Sequence, residues 1–293
     1  MRIDDSKCRS QTRSDGVQIV PRNLQETAQA LILAGGQGSR LHPYTHHTPK
    51  ALMPLGDTTV LGHLLHQLAD AGISRVTLAV GHLAQQIETY CGNGHAWGLD
   101  IGYHHENQPL GTAGPILSTF PEDADNLLVL NADIVCNLPF DVLWQHHTRH
   151  HAALTLAVAP HPQQLEFGVV SLDAHKRVCS FVEKPQIVHH VCTGISVVHR
   201  QVLSCIPQAQ PFGFDGLIHA VLANKKPIQA YVFEGYWRDI GRVADYRSAV
   251  EEFALLQPIK VTASKAGLSK KQPTGVTSAS TLLRTNPGLI RIA

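Results

Sequence analysis

An α/β fold, with a mostly parallel sheet covered by helices on both faces, follows from three observations in the sequence. Short runs such as ALILA (Ala30 to Ala34) and LLVL (Leu127 to Leu130) are wholly apolar and stop abruptly at glycine or polar residues. Other segments carry apolar residues at helical spacing. The two kinds of segment alternate along the chain, which is the order that strand-helix-strand units produce.

Ala30 to Ala34 reads as a buried strand feeding a glycine loop, because Gly35 and Gly36 end it. Val60, Leu61, Leu64, Leu65 and Leu68 then make one face of a helix that stops at Gly72. A strand over Val76 to Val80 and a helix near Ala84 to Cys91 follow, and the apolar strand Leu127 to Leu130 ends in Asn131, Ala132 and Asp133. Next come a helix through Phe140, Leu143, Trp144 and His147 and a strand from Leu154 to Val158. From about Phe167 the character changes: FGVVSLD, VCSFVE and TGISVVH are close-spaced strand-like runs that predict a smaller mixed lobe. A helix on Phe214, Leu217, Ile218, Val221 and Leu222, a strand over Ile228 to Phe233 and a helix using Val243, Tyr246, Val250 and Phe253 complete the folded part. Residues 1–28 and 257–293 lack sustained periodicity and read as a polar N-terminal extension and a C-terminal tail around a folded region at 29–256.

A length of 293 residues fits one large α/β domain or two ordinary ones. With 24 Lys+Arg against 23 Asp+Glu the formal charge is +1, so no global field draws the chain to nucleic acid or to an anionic membrane. No stretch approaches the roughly 18 uninterrupted apolar residues of a membrane-spanning helix. The first residues are polar and lack the apolar core of a secretory signal, which predicts a cytoplasmic protein. Six cysteines stand far apart with no C-x-x-C pair and read as buried thiols. Nineteen histidines include five adjacent pairs, densest in HHTRHH, where His146/His150 and His147/His151 stand four apart on the expected helix. Such pairs can grip a metal, but a solvated helix face is the favoured reading.

The segment LAGGQGSR, Leu33 to Arg40, followed by Pro49 and Lys50, suits phosphate. Glycines after a buried strand let backbone N–H groups approach phosphate oxygens, and Arg40 and Lys50 add positive charge. No third glycine completes a dinucleotide fingerprint and no GK[ST] completes a Walker motif, and a purely structural strand-to-helix turn stays open. Asp133 stands at the carboxyl end of an apolar strand, where ligands of open α/β sheets collect and where a carboxylate can hold Mg²⁺ on a triphosphate, or merely cap a turn. Asp239 in WRDIG offers a second carboxylate, and Lys184 in EKP follows a strand.

Taken in order, LAGGQGSRLHPYTHHTPKALMPL, ENQPLGTAGPI, LLVLNAD, FVEKP, TG and YWRDIG resemble the sugar-1-phosphate nucleotidylyltransferase family over about Ala30 to Phe253. The resemblance implies a single Rossmann-like domain with an inserted mixed α/β sugar-binding lobe, Mg²⁺ as cofactor, and a nucleoside triphosphate and a sugar 1-phosphate as substrates. Position by position it assigns Leu33, Gly35, Gly36, Gly38, Ser39 and Arg40 to the nucleotide, with Glu106 and Gly111 at its base. It makes Asp133 and Asp239 the metal carboxylates and puts Gly168, Glu183, Lys184 and Gly194 around the sugar phosphate. Arg40, Lys50, Asp133, Lys184 and Asp239 carry the catalytic charge. Ser39 stands where the family commonly has Thr, His42 where it has Arg, and Cys192 where it has Asn, departures that bear on affinity or sugar choice. PLGTAGP looks most like the guanylyltransferase branch, the mannose-1-phosphate guanylyltransferases in particular. Glu106, which can only accept hydrogen bonds, suits the adjacent N1–H and N2–H₂ donors of guanine. Use of UTP, dTTP or a cyclitol phosphate on the same fold, a catalytically silent nucleotide-sugar sensor, and a homo-oligomer all stay open.

Overall fold

The computed structural model describes residues 28–106 and 108–253. The tails expected at either end lie outside these, except for Ala28, which is buried in the core and so is no part of a polar extension. The chain begins with β1 (Gln29–Ala34), whose side chains alternate between two cores: Ala30, Ile32 and Ala34 join one, Leu31 and Leu33 the other. Burial on both faces accounts for the apolar run from Ala30 to Ala34, while Gln29 at its start is buried with its amide donating to Asp123 Oδ1 at 3.1 Å.

A short antiparallel pair, β2 (Pro54–Leu55) and β3 (Thr58–Thr59), leads into α1 (Val60–Asp70). Thr59 Oγ1 caps this helix by accepting the Gly62 N–H at 3.0 Å. At its other end Gly72, at φ +81°, lets Ile73 N–H reach the Leu68 carbonyl at 3.0 Å and close the helix. Leu61, Leu64, Leu65 and Leu68 are fully buried, and truncating one to alanine costs about 2–5 kcal/mol. Next are β4 (Arg75–Val80), α2 (Ala84–Cys91), β5 (Asp100–His105), α3 (Gly114–Thr119), β6 (Asn126–Asn131), β7 (Ile134–Cys136) and α4 (Phe140–His150). The second half adds β8 (Leu154–Gln164), β9 (Val169–Leu172), β10 (Val178–Val182), β11 (Gln186–His199) and α5 (Phe214–Ala223). It ends with β12 (Ile228–Val232), β13 (Trp237–Asp239) and α6 (Val243–Phe253).

The central sheet has seven strands in the order β12-β8-β11-β6-β1-β4-β5. Its pairs are parallel except for β11, which runs antiparallel to both β6 and β8. Leucines of α1, Ile87 of α2 and Phe140 and Leu143 of α4 pack on one face, while Ile116 of α3 and Leu217 and Val221 of α5 pack on the other. The two-faced cover expected from the sequence is therefore present.

The lobe is smaller than the change at Phe167 suggests. TGISVVH belongs to the central sheet, where Ile195 to His199 pair with β6, because this stretch is apolar on both faces. What projects is the far half of the β8/β11 pair together with the exposed β9/β10 hairpin. Strand β5 and helix α3 escape the sequence patterns: DIGYHH is a sheet-edge strand with polar positions, and α3 is too short to show helical periodicity.

Two further expectations need correction. Cys91 and Cys136 are buried thiols, but Cys179 and Cys192 are exposed and Cys205 is half-buried, and all five are free; Cys8 lies outside the described residues. The HHTRHH helix face is not uniformly solvated. His147 is buried, with Nδ1 at 2.8 Å from Thr155 Oγ1 and Nε2 at 2.9 Å from Asn126 Oδ1, so both ring nitrogens are taken and His147/His151 cannot grip a metal. His150 Nδ1 is spent on the His146 carbonyl at 2.8 Å. Among the described residues no helix is long and apolar enough to cross a membrane.

Candidate active site

The glycine loop leaves β1 at the carboxyl edge of the sheet and turns into a single 3-10 turn at Ser39–Leu41. Gly38 starts that turn at φ +63°, a conformation that glycine adopts without strain. Its carbonyl accepts from Leu41 N–H at 2.9 Å and Thr45 Oγ1 at 2.8 Å, which fixes the loop from below. Lys50 opens another 3-10 turn directly after Pro49, and its side chain is largely buried.

Asp133 follows β6, and Ala132 N–H donates to the Leu33 carbonyl at 3.1 Å, so the NAD turn is tied to the strand that launches the glycine loop. Asp239 arrives from far along the chain because β13 pairs with β7, placing Asp239 opposite Ile134. Lys50 Nζ donates to Asp133 Oδ2 and lies 3.6 Å from Asp239 Oδ1. Burial first, and the Asp133 charge second, push the Asp239 carboxyl above its ordinary value, against the opposing pull of Lys50, the Gly241 backbone and Arg40.

A cavity of about 230 Å³ opens here, lined by Leu33, Gly36, Gly38, Ser39, Arg40, Lys50 and Asp133, so seven of the predicted residues share one space. A second cavity, of about 340 Å³, also borders Leu33 and is lined by Thr112, Asn131, Gly194, Trp237 and Asp239 among others. Gly194, at φ +77°, abuts the Asn131 amide so closely that a Cβ there would stand 2.6 Å from Asn131 Nδ2. Asn131 stands in the NAD segment and Trp237 in YWRDIG, but the sequence assigns neither a role of its own. Trp237 fixes the TG segment by donating Nε1–H to the Thr193 carbonyl at 2.9 Å.

Glu106 ends β5's pairing with β4: its N–H reaches the Val80 carbonyl at 3.2 Å. Its Oε1 accepts the Leu110 N–H at 3.2 Å, and Oε2 fills the space over Gly35, 2.7 Å from where a Cβ would be. The carboxylate thus both shapes the loop and borders the first glycine. Gly111 lies in a segment docked on Phe212, whose N–H donates to Leu110 O at 2.8 Å and whose carbonyl accepts from Ala113 N–H at 2.9 Å. Gly168, Glu183 and Lys184 are not gathered with these groups. Gly168 packs on the Phe181 ring and the Glu183 carboxylate within the projecting lobe. Lys184 is exposed, at φ +44°, and forms no ion pair among the described residues.

The donor set fits a divalent cation. Asp133 Oδ1 is buried and has no hydrogen-bond partner among the described residues, which leaves a carboxylate oxygen beside Asp239 unsatisfied. Among the described residues no cluster of three or more His, Cys, Asp or Glu groups stands here, and two carboxylates suit an ion that takes its remaining oxygens from phosphate and water.

A mostly parallel sheet with a glycine loop and Asp133 at the carboxyl ends of its strands, and Lys50 and Asp239 brought beside them, has the architecture in which α/β proteins bind ligands at that edge. Residues 29–254 match the family described as nucleotidyl transferase, and the chain belongs to that family. It is similar to the mannose-1-phosphate guanylyltransferase catalytic subunit beta of Drosophila pseudoobscura pseudoobscura, with 35% identity over 227 residues covering 74% of this chain and 60% of that one. The mannose-1-phosphate guanyltransferase of Candida albicans is 30% identical over 228 residues, covering 75% of this chain and 63% of its own. The chain therefore spans about 60% of the length of the curated relatives it matches. Among solved structures, HddC from Yersinia pseudotuberculosis superposes with a TM-score of 0.61 at 25% identity, over 77% of this chain and 99% of that one.

Proposed function

We propose that the chain transfers a nucleotidyl group from a nucleoside triphosphate, GTP, to a sugar 1-phosphate, mannose 1-phosphate, giving the nucleoside diphosphate sugar and pyrophosphate. The observation that carries this reading is the pair of cavities flanking the carboxylates, one bordered by Asp133 and the other by Asp239, with Lys50 bridging the two acids. An in-line displacement needs room for an anion on each side of the reacting phosphorus. The names of the curated relatives favour GTP and mannose 1-phosphate.

In the reaction an oxygen of the sugar phosphate attacks the α-phosphorus, a new P–O bond forms, and the bond to the β-phosphate bridging oxygen breaks as pyrophosphate leaves. Phosphate monoester oxygens are already anionic near neutral pH, so no general base is needed and no covalent intermediate forms on the protein. Asp133 and Asp239 would hold Mg²⁺, which supplies charge neutralisation at the α-phosphate when bound. Arg40 and the glycine-loop N–H groups orient the triphosphate. Lys50, salt-bridged to both carboxylates, keeps its ammonium at the reacting phosphates. Asn131 and Gly194 border the acceptor side.

The test is incubation of the full chain with Mg²⁺, each of GTP, UTP, dTTP, ATP and CTP, and a panel of sugar phosphates, following pyrophosphate release. GTP with mannose 1-phosphate is expected to be the best pair. Release from no pair would overturn the reading.

A further inference from the structure

A third cavity, of about 640 Å³, adjoins both of those already described, sharing Arg40 with the first and Asp239 and Trp237 with the second. Three arginines line it: Arg40, Arg238 and Arg242. Arg238 is committed, because its Nε–H donates to Glu252 Oε2 at 2.9 Å. Arg40 and Arg242 are exposed and take part in no ion pair among the described residues. They are neighbours through Gly241: Arg40 Nη2 lies 3.5 Å from the position a Cβ on Gly241 would take, and Arg242 is the next residue. The Arg242 backbone is anchored, since its carbonyl accepts the Tyr246 N–H at 2.9 Å and so begins α6. Its side chain lines the cavity that Asp239 also borders, on a fixed stem and without an ion pair among the described residues.

The geometry points to Arg242 as a second arginine for the polyphosphate tail, holding with Arg40 the β- and γ-phosphates of the triphosphate and then the departing pyrophosphate. This rests on the nucleotidyl-transfer reading and adds to it a binding residue and a subsite. Negative charge on the leaving pyrophosphate grows as the bond to the α-phosphorus breaks, and a planar guanidinium can take two phosphate oxygens at once. Arg40 alone offers one such fork. Glu234, Asp239 and Asp245 also line the cavity, so an anion there needs both guanidiniums to offset the carboxylates.

The experiment titrates inorganic pyrophosphate, with Mg²⁺ present, into the full chain, Arg242→Gln and Arg242→Lys by calorimetry, with mannose 1-phosphate titrated separately. Arg242→Gln is expected to bind pyrophosphate about 10-fold more weakly, the size of one lost charge-assisted contact at an exposed site. Arg242→Lys should recover part of the loss, and binding of the sugar phosphate should be unchanged in both. Wild-type affinity for pyrophosphate in Arg242→Gln, an equal loss for the sugar phosphate, or no pyrophosphate binding by the wild-type chain would each overturn the inference. Turnover is measured alongside. Nucleotidyl transfer with an unaltered pyrophosphate affinity in Arg242→Gln rejects the subsite and keeps the function, whereas a selective loss of pyrophosphate binding in a chain without transfer activity does the reverse.

Discussion

Ile240 donates its backbone N–H to the carbonyl of Asp133 at 3.0 Å, one residue beyond Asp239, so the main chain itself sets the two candidate metal carboxylates side by side. Asp133→Ala and Asp239→Ala should each lower kcat by about 10²-fold or more, the scale of removing one electrostatic element from a phosphoryl site. The β7/β13 pairing uses backbone groups only, and circular dichroism of both variants should match the parent. Wild-type turnover of both variants in limiting Mg²⁺ would remove the carboxylates from the mechanism.

The same pairing has a stability consequence. Burial, and then Asp133, hold the Asp239 carboxyl above its ordinary value of 3.8. A carboxyl raised on folding contributes stability that is complete below the unfolded value and lost as pH rises through the folded one. At neutral pH, Asp239→Asn should therefore be more stable than the parent in chelator-treated buffer, with the difference closing below about pH 4. Since half of the side chain is exposed, solvent screens the repulsion and the gain is held to about 1 kcal/mol or less, a Tm rise of up to roughly 4 °C. A melting curve at pH 7 in which the variant falls below the parent would contradict this account.

Lys184 stands on the turn between β10 and β11, exposed and without an ionic partner among the described residues. Two roles compete for it: a turn residue ahead of Pro185, or an ammonium waiting for the sugar phosphate. The second predicts a split: Lys184→Ala should raise KM for the sugar 1-phosphate about 10-fold while changing KM for the triphosphate little. Equal effects on the two constants, or none, would leave Lys184 as a turn residue only.

His147 carries a pH dependence unconnected with catalysis. Burial, with the charges of His199 and His146 behind it, pushes its pKa down to about 4 from 6.5. A histidine kept neutral by the fold leaves stability intact above about pH 6.5, and lowers it as pH falls from there towards 4, because only the unfolded chain takes up the proton. The loss amounts to up to about 3 kcal/mol at 1.4 kcal/mol per pKa unit. Urea denaturation between pH 7 and 4.5 should show this slope in the parent, and His147→Gln should flatten it, with His63, also lowered by burial, sustaining the remainder. An unchanged slope in the variant would assign the effect elsewhere.

Much of the site was legible because its parts announce themselves locally. A strand that must be apolar on both faces and then stop at glycine has few alternative readings, and Asp133 at the end of the apolar β6 follows from the same logic. Asp239 was legible as a carboxylate in a motif, but its place beside Asp133 is a product of the β7/β13 pairing, which joins three-residue strands about a hundred residues apart and leaves no periodicity to read. Arg242 is equally silent in sequence, since only the fold brings Arg40 to the adjoining Gly241. The lobe was drawn too large because strand-like patterns record burial on a face and not which sheet supplies it. His147 falls at apolar-face spacing with Leu143 and Trp144, but its partners, Thr155 and Asn126, come from two strands that the spacing does not name.

Glu106 offers the sharpest test of nucleotide choice. Its Oε1 is engaged by Leu110 N–H, while Oε2 borders Gly35 of the glycine loop, so on the proposed function one acceptor oxygen is available to a bound base. Guanine presents two adjacent donors to an acceptor of this kind, whereas uracil and thymine present one donor flanked by carbonyls that a carboxylate repels. Glutamine can keep the bond from Leu110 through its carbonyl and turn its amide towards the base, so Glu106→Gln changes the chemistry of the edge without releasing the loop. It should reduce kcat/KM for GTP by a factor of about 10 to 200, the cost of a lost charge-assisted pair worth roughly 1.5–3 kcal/mol. The gap to UTP and dTTP should narrow at the same time, because the repulsion of their carbonyls is relieved. The measurement is kcat/KM for GTP, UTP, dTTP, ATP and CTP on both proteins under one set of conditions. A parent that prefers a pyrimidine triphosphate, or a variant whose order of preference is unchanged, would show that Glu106 serves the loop and does not read the base.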